Sequence, residues 1–458
     1  MAQKNVTRDM TQGSPLKLIL TFSLPLLGGF LFQQLYSFMD TMVVGGVLGT
    51  EALAAVGDTG SLNFLINGFC MGICSGFAIP IAQAFGAKDE TEMRRYVMHS
   101  VYLCAVISVL MGLLTGFFAP QLLRMLNTPE DILPLSVAYI QPVFFAIPVT
   151  VLYNMCGGVM RSLGDSKTPV IAITIAALLN IVLDPVFILP WGFDMGAGGA
   201  GLATFLSNCV ACLYFFVLLF IKRGNTFVCI DPKKLSFQKD IVSGVCAVGI
   251  PASIQNLLNV TGMTILNNFS SSYGASAVAA IGICQKIYMV PMYISQGISQ
   301  GVMPLISYTF SSNNIPRMKH VVSFARKAAL TIIISVALLF FLFPGFWVEL
   351  FMKDATIVEY GSHLLRRFCM GLPFLSIDFL AVGVFQAVGM GRESLLFAIL
   401  RKVVLEIPAL FILNALFGLY GLASAQFCAE VILATAAILV LRRLFKRLEE
   451  SVPAPQKG

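Results

Sequence analysis

Apolar runs long enough to cross a bilayer recur along the whole of this 458-residue chain, and any fold must find an apolar setting for all of them. A hydrocarbon core of ~30 Å takes about 20 residues of α-helix. Runs of that kind, ended by charged loops and by Gly or Pro, occur at 17–43, 53–82, 96–121, 133–160, 168–189, 200–221, 243–269, 278–308, 327–351, 362–387, 395–416 and 420–445. Only 12% of the residues are charged, against roughly 25% in soluble domains, so the polar groups needed to cover a water-facing surface are missing. The sequence predicts an all-α membrane protein with twelve transmembrane helices. The first run is too long for a signal-peptide core and is expected to remain as span 1.

Lysine and arginine set the orientation. They gather in the two tails and in the even-numbered loops, as at Lys88, Arg94 and Arg95, at Arg161 and Lys167, and at Arg317 and Lys319. The odd-numbered loops hold only Arg124 and Lys353, so both termini are expected in the cytoplasm. The net charge of +7 comes from these short loops, which argues against nucleic acid as a partner and for membrane lipid. The longest hydrophilic connection divides the chain into an amino-terminal lobe at 1–221, a cytoplasmic linker at 222–241, a carboxy-terminal lobe at 242–447 and a tail at 448–458.

The two lobes repeat one another at an offset of 225 residues: LGTEALAAVG ends at Gly57 and YGASAVAAIG at Gly282. Gly72/Gly297, Gly76/Gly301, Phe85/Phe310, Pro148/Pro373, Gly158/Gly383 and Gly164/Gly389 keep the same offset. Six crossings return the chain to its starting side, so the repeats are parallel, about an axis along the membrane normal. Two pseudo-symmetric six-helix lobes of this kind typify secondary transporters, whose sites lie at the repeat interface.

Charges inside spans are costly and point to function. Asp40 lies 23 residues after Lys17 in span 1, and Asp184 lies 15 after Pro169 in span 5. Those separations are roughly 35 Å and 22 Å of helix, and both place the acid in the outer half of the bilayer. Asn180 shares a helix face with Asp184, while Tyr139 and Thr204 enter from the outer side in spans 4 and 6. Two carboxylates meeting in a dry site repel, and a proton relieves that repulsion. Na⁺ could also do so, with the Asn, Thr and Tyr oxygens completing its shell. The alternative is that both acids merely hydrogen-bond neighbouring helices. Pro185 directly after Asp184 predicts a helix break that exposes carbonyls. In the second lobe Lys286, Asp378, Glu406 and Glu430 are intramembrane charges, open to either structural or functional roles. Arg366 and Arg367 are read as snorkelling side chains. Cys209 and Cys212 form a C-x-x-C pair inside a span and read as packing, and His99, His320 and His363 are too scattered to ligate a metal. No cofactor is expected beyond the coupling ion, H⁺ or Na⁺.

The segments SLPLLGGFLFQQLYSFMDTMVVGGVLGTEALAAVG at 23–57, IAQAFGAKDETEMRR at 81–95 and GGVMRSLGDSKTP at 157–169 resemble the multidrug and toxic compound extrusion (MATE) family. The likeness is to its DinF-like, firmicute-type prokaryotic branch. That resemblance implies a V-shaped pair of six-helix lobes in the cytoplasmic (inner) membrane. It also implies antiport: small organic compounds, often cationic drugs or toxins, leave in exchange for H⁺ or Na⁺, and no enzyme chemistry is expected. It assigns cation or proton binding to Asp40, Asn180, Asp184, Tyr139 and Thr204, and a substrate cavity to Gln33, Tyr36 and Asn154. The NorM-type glutamate of span 7 is missing from ASIQNLLNVTGMTILNN, so a Na⁺ site of that type around Asp378 is not expected. The protein is expected to act as a monomer on small-molecule substrates. The alternative in the same superfamily is a lipid-linked saccharide flippase, which would call for a strongly basic cavity, and the first lobe shows no buried Lys or Arg. An intramembrane enzyme built on the Asp40/Asp184 pair, or a passive channel, are the readings from other classes.

Overall fold

The computed structural model describes residues 15–126, 128–189, 192–221 and 238–451; within its helices some side chains, including those of Gln33, Tyr36 and Asp40, fall outside the described residues. Every regular element among the described residues is helical. The first part of the chain forms α1 (Pro15–Gly86), α2 (Glu90–Phe117), α3 (Ala119–Met125), α4 (Leu133–Phe145), α5 (Ile147–Ser162), α6 (Lys167–Ile188) and α7 (Ala197–Ile221). The second part forms α8 (Lys239–Ser270), α9 (Ala275–Ser311), α10 (Ile315–Leu342), α11 (Pro344–Glu349), α12 (Ala355–Ala387), α13 (Gly391–Ile399), α14 (Ile407–Phe417) and α15 (Leu419–Ser451). A π-helical turn, Leu400–Glu406, joins α13 to α14.

Nine described segments are long and apolar enough to cross a membrane, and α4 with α5 makes a tenth, bent by 44°. The bend falls at Ala146, where Pro148 has no N–H for the Phe144 carbonyl and crowds it. Proline also ends α2 and α10 early: Pro120 and Pro344 open the short helices α3 and α11, so the predicted spans at 96–121 and 327–351 are each divided in two. Spans 1 and 2 differ from expectation in the opposite sense. The helix is continuous from Pro15 to Gly86, 72 residues, with no proline between Pro25 and Pro80 to break it. At ~1.5 Å per residue that is about 108 Å, enough for more than one ~30 Å crossing. The candidate span inside it, Leu62–Gly86, is the second of the predicted pair.

The chain separates into two compact units, one of Met1–Asp9 with Gly28–Ser253 and one of Met10–Leu27 with Ile254–Gly458. The first is cored by Phe77, Ile81, Met93, Ile140, Phe144 and Ile147. In the second, α12 packs against α9, α10 and α15 and is the most buried span, at 78%. The repeat is visible residue by residue. Lys88 (φ 59°) and Asn313 (φ 58°) are both left-handed. The next residues, Asp89 and Asn314, cap α2 and α10 through their side chains. Gly164 (φ 88°) and Gly389 (φ 84°) close α5 and α12 in the same way. All three pairs are 225 apart.

Within the first unit α1 and α8 touch backbone to backbone. A Cβ at Gly76 would collide with Gly249, and one at Gly72 with Ser253, the small-residue contact that lets helices approach in lipid. Gly76→Val is expected to cost about 1–3 kcal/mol through overpacking, read as a lower melting midpoint of the detergent-purified protein.

Candidate functional site

The first unit buries a polar group where α6 and α7 pack together. Asn180 and Asp184 lie one turn apart on α6, 2% and 1% exposed. The Asn180 amide nitrogen donates to Asp184 Oδ1 at 3.3 Å and to Thr204 Oγ1 of α7 at 3.2 Å. One amide thus ties the two helices through both of its protons. Its carbonyl oxygen, Oδ1, is buried and meets no hydrogen-bond donor among the described residues. A buried acceptor without a donor is costly, and a cation beside Asp184 would satisfy it. Tyr139 is buried on α4, and its backbone carbonyl lies 2.6 Å from where a Cβ of Gly201 would sit. Gly201 precedes Thr204 by one turn of α7, so α4 approaches at the depth of this group.

The predicted break at Pro185 does not occur. Helix α6 continues to Ile188, and the Leu189 amide donates to the Pro185 carbonyl at 2.9 Å. Proline here only deprives the Ile181 carbonyl of its usual donor, and a final turn closes beyond it. Asp40, Gln33 and Tyr36 belong to α1, with side chains outside the described residues.

A polar ladder leads away from the group, and of its members besides Thr204 the sequence reading named only Asn154. One turn on from Thr204, the Asn208 amide donates to Thr150 Oγ1 of α5 at 3.0 Å, and Asn154 donates to the Thr150 carbonyl at 2.8 Å. Asn154, the predicted cavity residue, is half-buried there. Two i,i+4 polar pairs in apolar spans, Thr150/Asn154 and Thr204/Asn208, were the available signal. Arg161, assigned from sequence to a loop, is instead half-buried in the last turn of α5, its guanidinium against Gly157 and Gly158.

The second unit holds charge of another kind. Lys286, predicted as intramembrane and in need of a partner, is exposed on α9, on the opposite side from the buried Cys284, Ile287 and Tyr288. Asp378, Glu406 and Glu430 are all buried, and their partners are two residues that the sequence reading passed over inside span 11, Arg401 and Lys402. Arg401 NH1 donates to Asp378 Oδ2 at 3.3 Å, and its Nε lies 2.8 Å from Glu430 Oε1. Lys402 Nζ donates to both Glu406 oxygens at 2.7 Å. Arg401 also lies over the Phe379 ring, 5.1 Å from its centroid. Arg366 and Arg367, in the first half of α12, donate to the carbonyls of Phe341 and His363. Among the described residues no three His, Cys, Asp or Glu side chains cluster to hold a metal ion.

Comparison with known proteins agrees on one family. A family model described as MatE matches residues 25–186 and 251–412, one match in each repeat. The Multidrug export protein MepA of Staphylococcus aureus (strain bovine RF122 / ET3-1) is 32% identical over 437 residues, 94% of each chain. Its namesake in Staphylococcus saprophyticus is 32% identical over 445 residues, covering 95% of this chain and 96% of that one. Among solved structures, the outward-facing conformation of a multidrug resistance MATE family transporter of the MOP superfamily superposes with a TM-score of 0.91. It is 26% identical, covering 98% of this chain and all of that one. The fold is therefore that of the MATE transporters, twelve helices in two six-helix lobes.

Proposed function

Because the chain belongs to the MatE family of multidrug efflux transporters, we propose that it is a secondary antiporter that carries small organic, cationic or amphipathic compounds out of the cell in exchange for H⁺ or Na⁺. It works as a monomer in the prokaryotic inner membrane with both termini in the cytoplasm, and it does no covalent chemistry. The observation that carries this reading is the buried Asn180–Asp184–Thr204 group, a carboxylate set in apolar helices beside an amide oxygen that lacks a donor. A group of this kind is suited to holding a small cation at membrane depth.

The ion drives export only if it binds two conformations of the carrier with different affinity. In one, Asp184 is charged and the site is open to a cation. In the other, the cation neutralises the carboxylate, Asn180 and Thr204 close around it, and α6 and α7 pack more tightly. Asp40 is assigned as the second carboxylate of the site, and Gln33, Tyr36 and Asn154 as contacts of the organic substrate.

The test is transport of a fluorescent organic cation by purified protein in proteoliposomes, with pH and Na⁺ gradients imposed separately. Uptake against the dye gradient under one of the two, and collapse when that gradient is dissipated, is the expected result. Movement that never exceeds equilibration under either gradient would make the protein a passive channel, and turnover of the dye would make it an enzyme.

A further inference from the structure

The second unit carries its own polar constellation at the positions where the first unit carries the Asn180–Asp184–Thr204 group. Gly196 (φ 58°) and Gly418 (φ 59°) are left-handed glycines at the starts of α7 and α15, and they lie 222 apart. Thr204 and Asn208 follow the first by 8 and 12 residues, and Gln426 and Glu430 follow the second by the same steps. The same 222 offset takes Asn180 and Asp184 of α6 to Lys402 and Glu406 of the π-helical turn. At these places neutral polar side chains beside Asp184 in the first unit give way to paired charges in the second.

The charges do not balance. Asp378, Glu406 and Glu430 face Arg401 and Lys402, three acids to two bases, in a region where every one of the five is 6% exposed or less. Lys402 is used up by Glu406, which it bonds through both oxygens. Arg401 is therefore shared between Asp378 and Glu430. It donates one hydrogen bond to Asp378, while its Nε contact with Glu430 is an ion pair without hydrogen-bond alignment. Asp378 Oδ1 and both oxygens of Glu430 are buried without a hydrogen-bond partner among the described residues. The other titratable group near Glu430 and Arg401 is Tyr288 of α9, which itself lies near Cys369 of α12. Tyr288 accepts from Gln426 of α15 at 2.6 Å.

We propose that Asp378, Arg401 and Glu430 form a proton-binding centre in the carboxy-terminal unit, in which one buried proton is held between Glu430 and Asp378 and decides which of them Arg401 serves. With the proton on Glu430, Arg401 belongs to Asp378, and the five groups sum to zero. Loss of the proton leaves one surplus negative charge in an apolar setting and draws Arg401 toward Glu430. The proton is the cation that fits: a metal ion would need several more oxygens, and Arg401 already fills the space between the two acids. This goes beyond the antiport reading, since it holds whichever ion drives export through the first unit.

The test is infrared titration of the full-length protein in lipid nanodiscs, following the C=O stretch of protonated carboxyl groups through neutral pH. A buried-carboxyl band is expected in the wild type at neutral pH, insensitive to added Na⁺ and present in Asp184→Asn, which alters only the first unit. Glu430→Gln and Asp378→Asn each leave two acids against two bases, so each is expected to fold and to abolish the band. If one fails to fold, the other gives the answer. No band in the wild type, a band that survives both substitutions, or one that Na⁺ removes at constant pH overturns the proposal. Failure of gradient-driven dye transport, by contrast, would sink the antiport reading and leave this titration untouched.

Discussion

Asp184→Asn is expected to cut gradient-driven export to at most about a tenth of the wild-type rate, since couplings between an ion and its co-transported ligand are typically worth 5- to 150-fold. The substitution keeps the side-chain shape and can still accept from Asn180, so the α6–α7 contact survives and the melting midpoint should move little. What is lost is the charge. Without it the cation has no preference between the two conformations, and a ligand that binds both equally shifts nothing. The measurement is dye transport in proteoliposomes alongside dye binding to the detergent-purified protein. Transport falls while binding persists. Undiminished gradient-driven transport would remove Asp184 from the coupling role.

Arg401→Ala is expected to have the largest effect on folding. Breaking a buried ion pair by removing one partner costs about 3–5 kcal/mol, and here one guanidinium serves two acids, Asp378 and Glu430. For a unit of this size that corresponds to a fall in melting midpoint of roughly 6–20 °C. The double variant Arg401→Ala with Glu430→Gln removes one of the two stranded acids and should recover part of the loss, a non-additivity that a double-mutant cycle measures directly. If the single variant melts with the wild type, Arg401 is not the counter-ion of the cluster.

The sequence was most legible where a rule acts on a whole segment. Hydropathy marks spans because lipid offers backbone groups no partner, and the repeat was legible because left-handed positions such as Gly164 and Gly389 admit few residues besides glycine. It was least legible where one residue decides. Pro148 bends a span whereas Pro185, inside a similar span, does not break one, because the outcome depends on whether a later turn can close beyond the proline. Arg401 and Lys402 stood inside a predicted span yet were passed over, since nothing local shows that their partners come from α12, from α15 and from Glu406 one turn on. Lys286 shows the opposite limit: it lies within a candidate span, Ser276–Ser311, but on an exposed face, which periodicity of a uniformly apolar helix does not mark. For the first unit, the i,i+4 spacing carried Asn180 and Asp184 and depth brought Thr204 to their level, but the bond from Asn180 to Thr204 needed the packing of α7 on α6.

The widened turn at Leu400–Glu406 has a mechanical meaning. Pro408 cannot donate to the carbonyl four residues back, so the chain there gains little from regular α pitch. Returning to it would rotate one flank about 100° against the other and carry Arg401 away from Asp378 and Glu430. The two ion pairs of Arg401 act as pins in a slack coil. Neutralising either acid withdraws one pin and leaves the other in place.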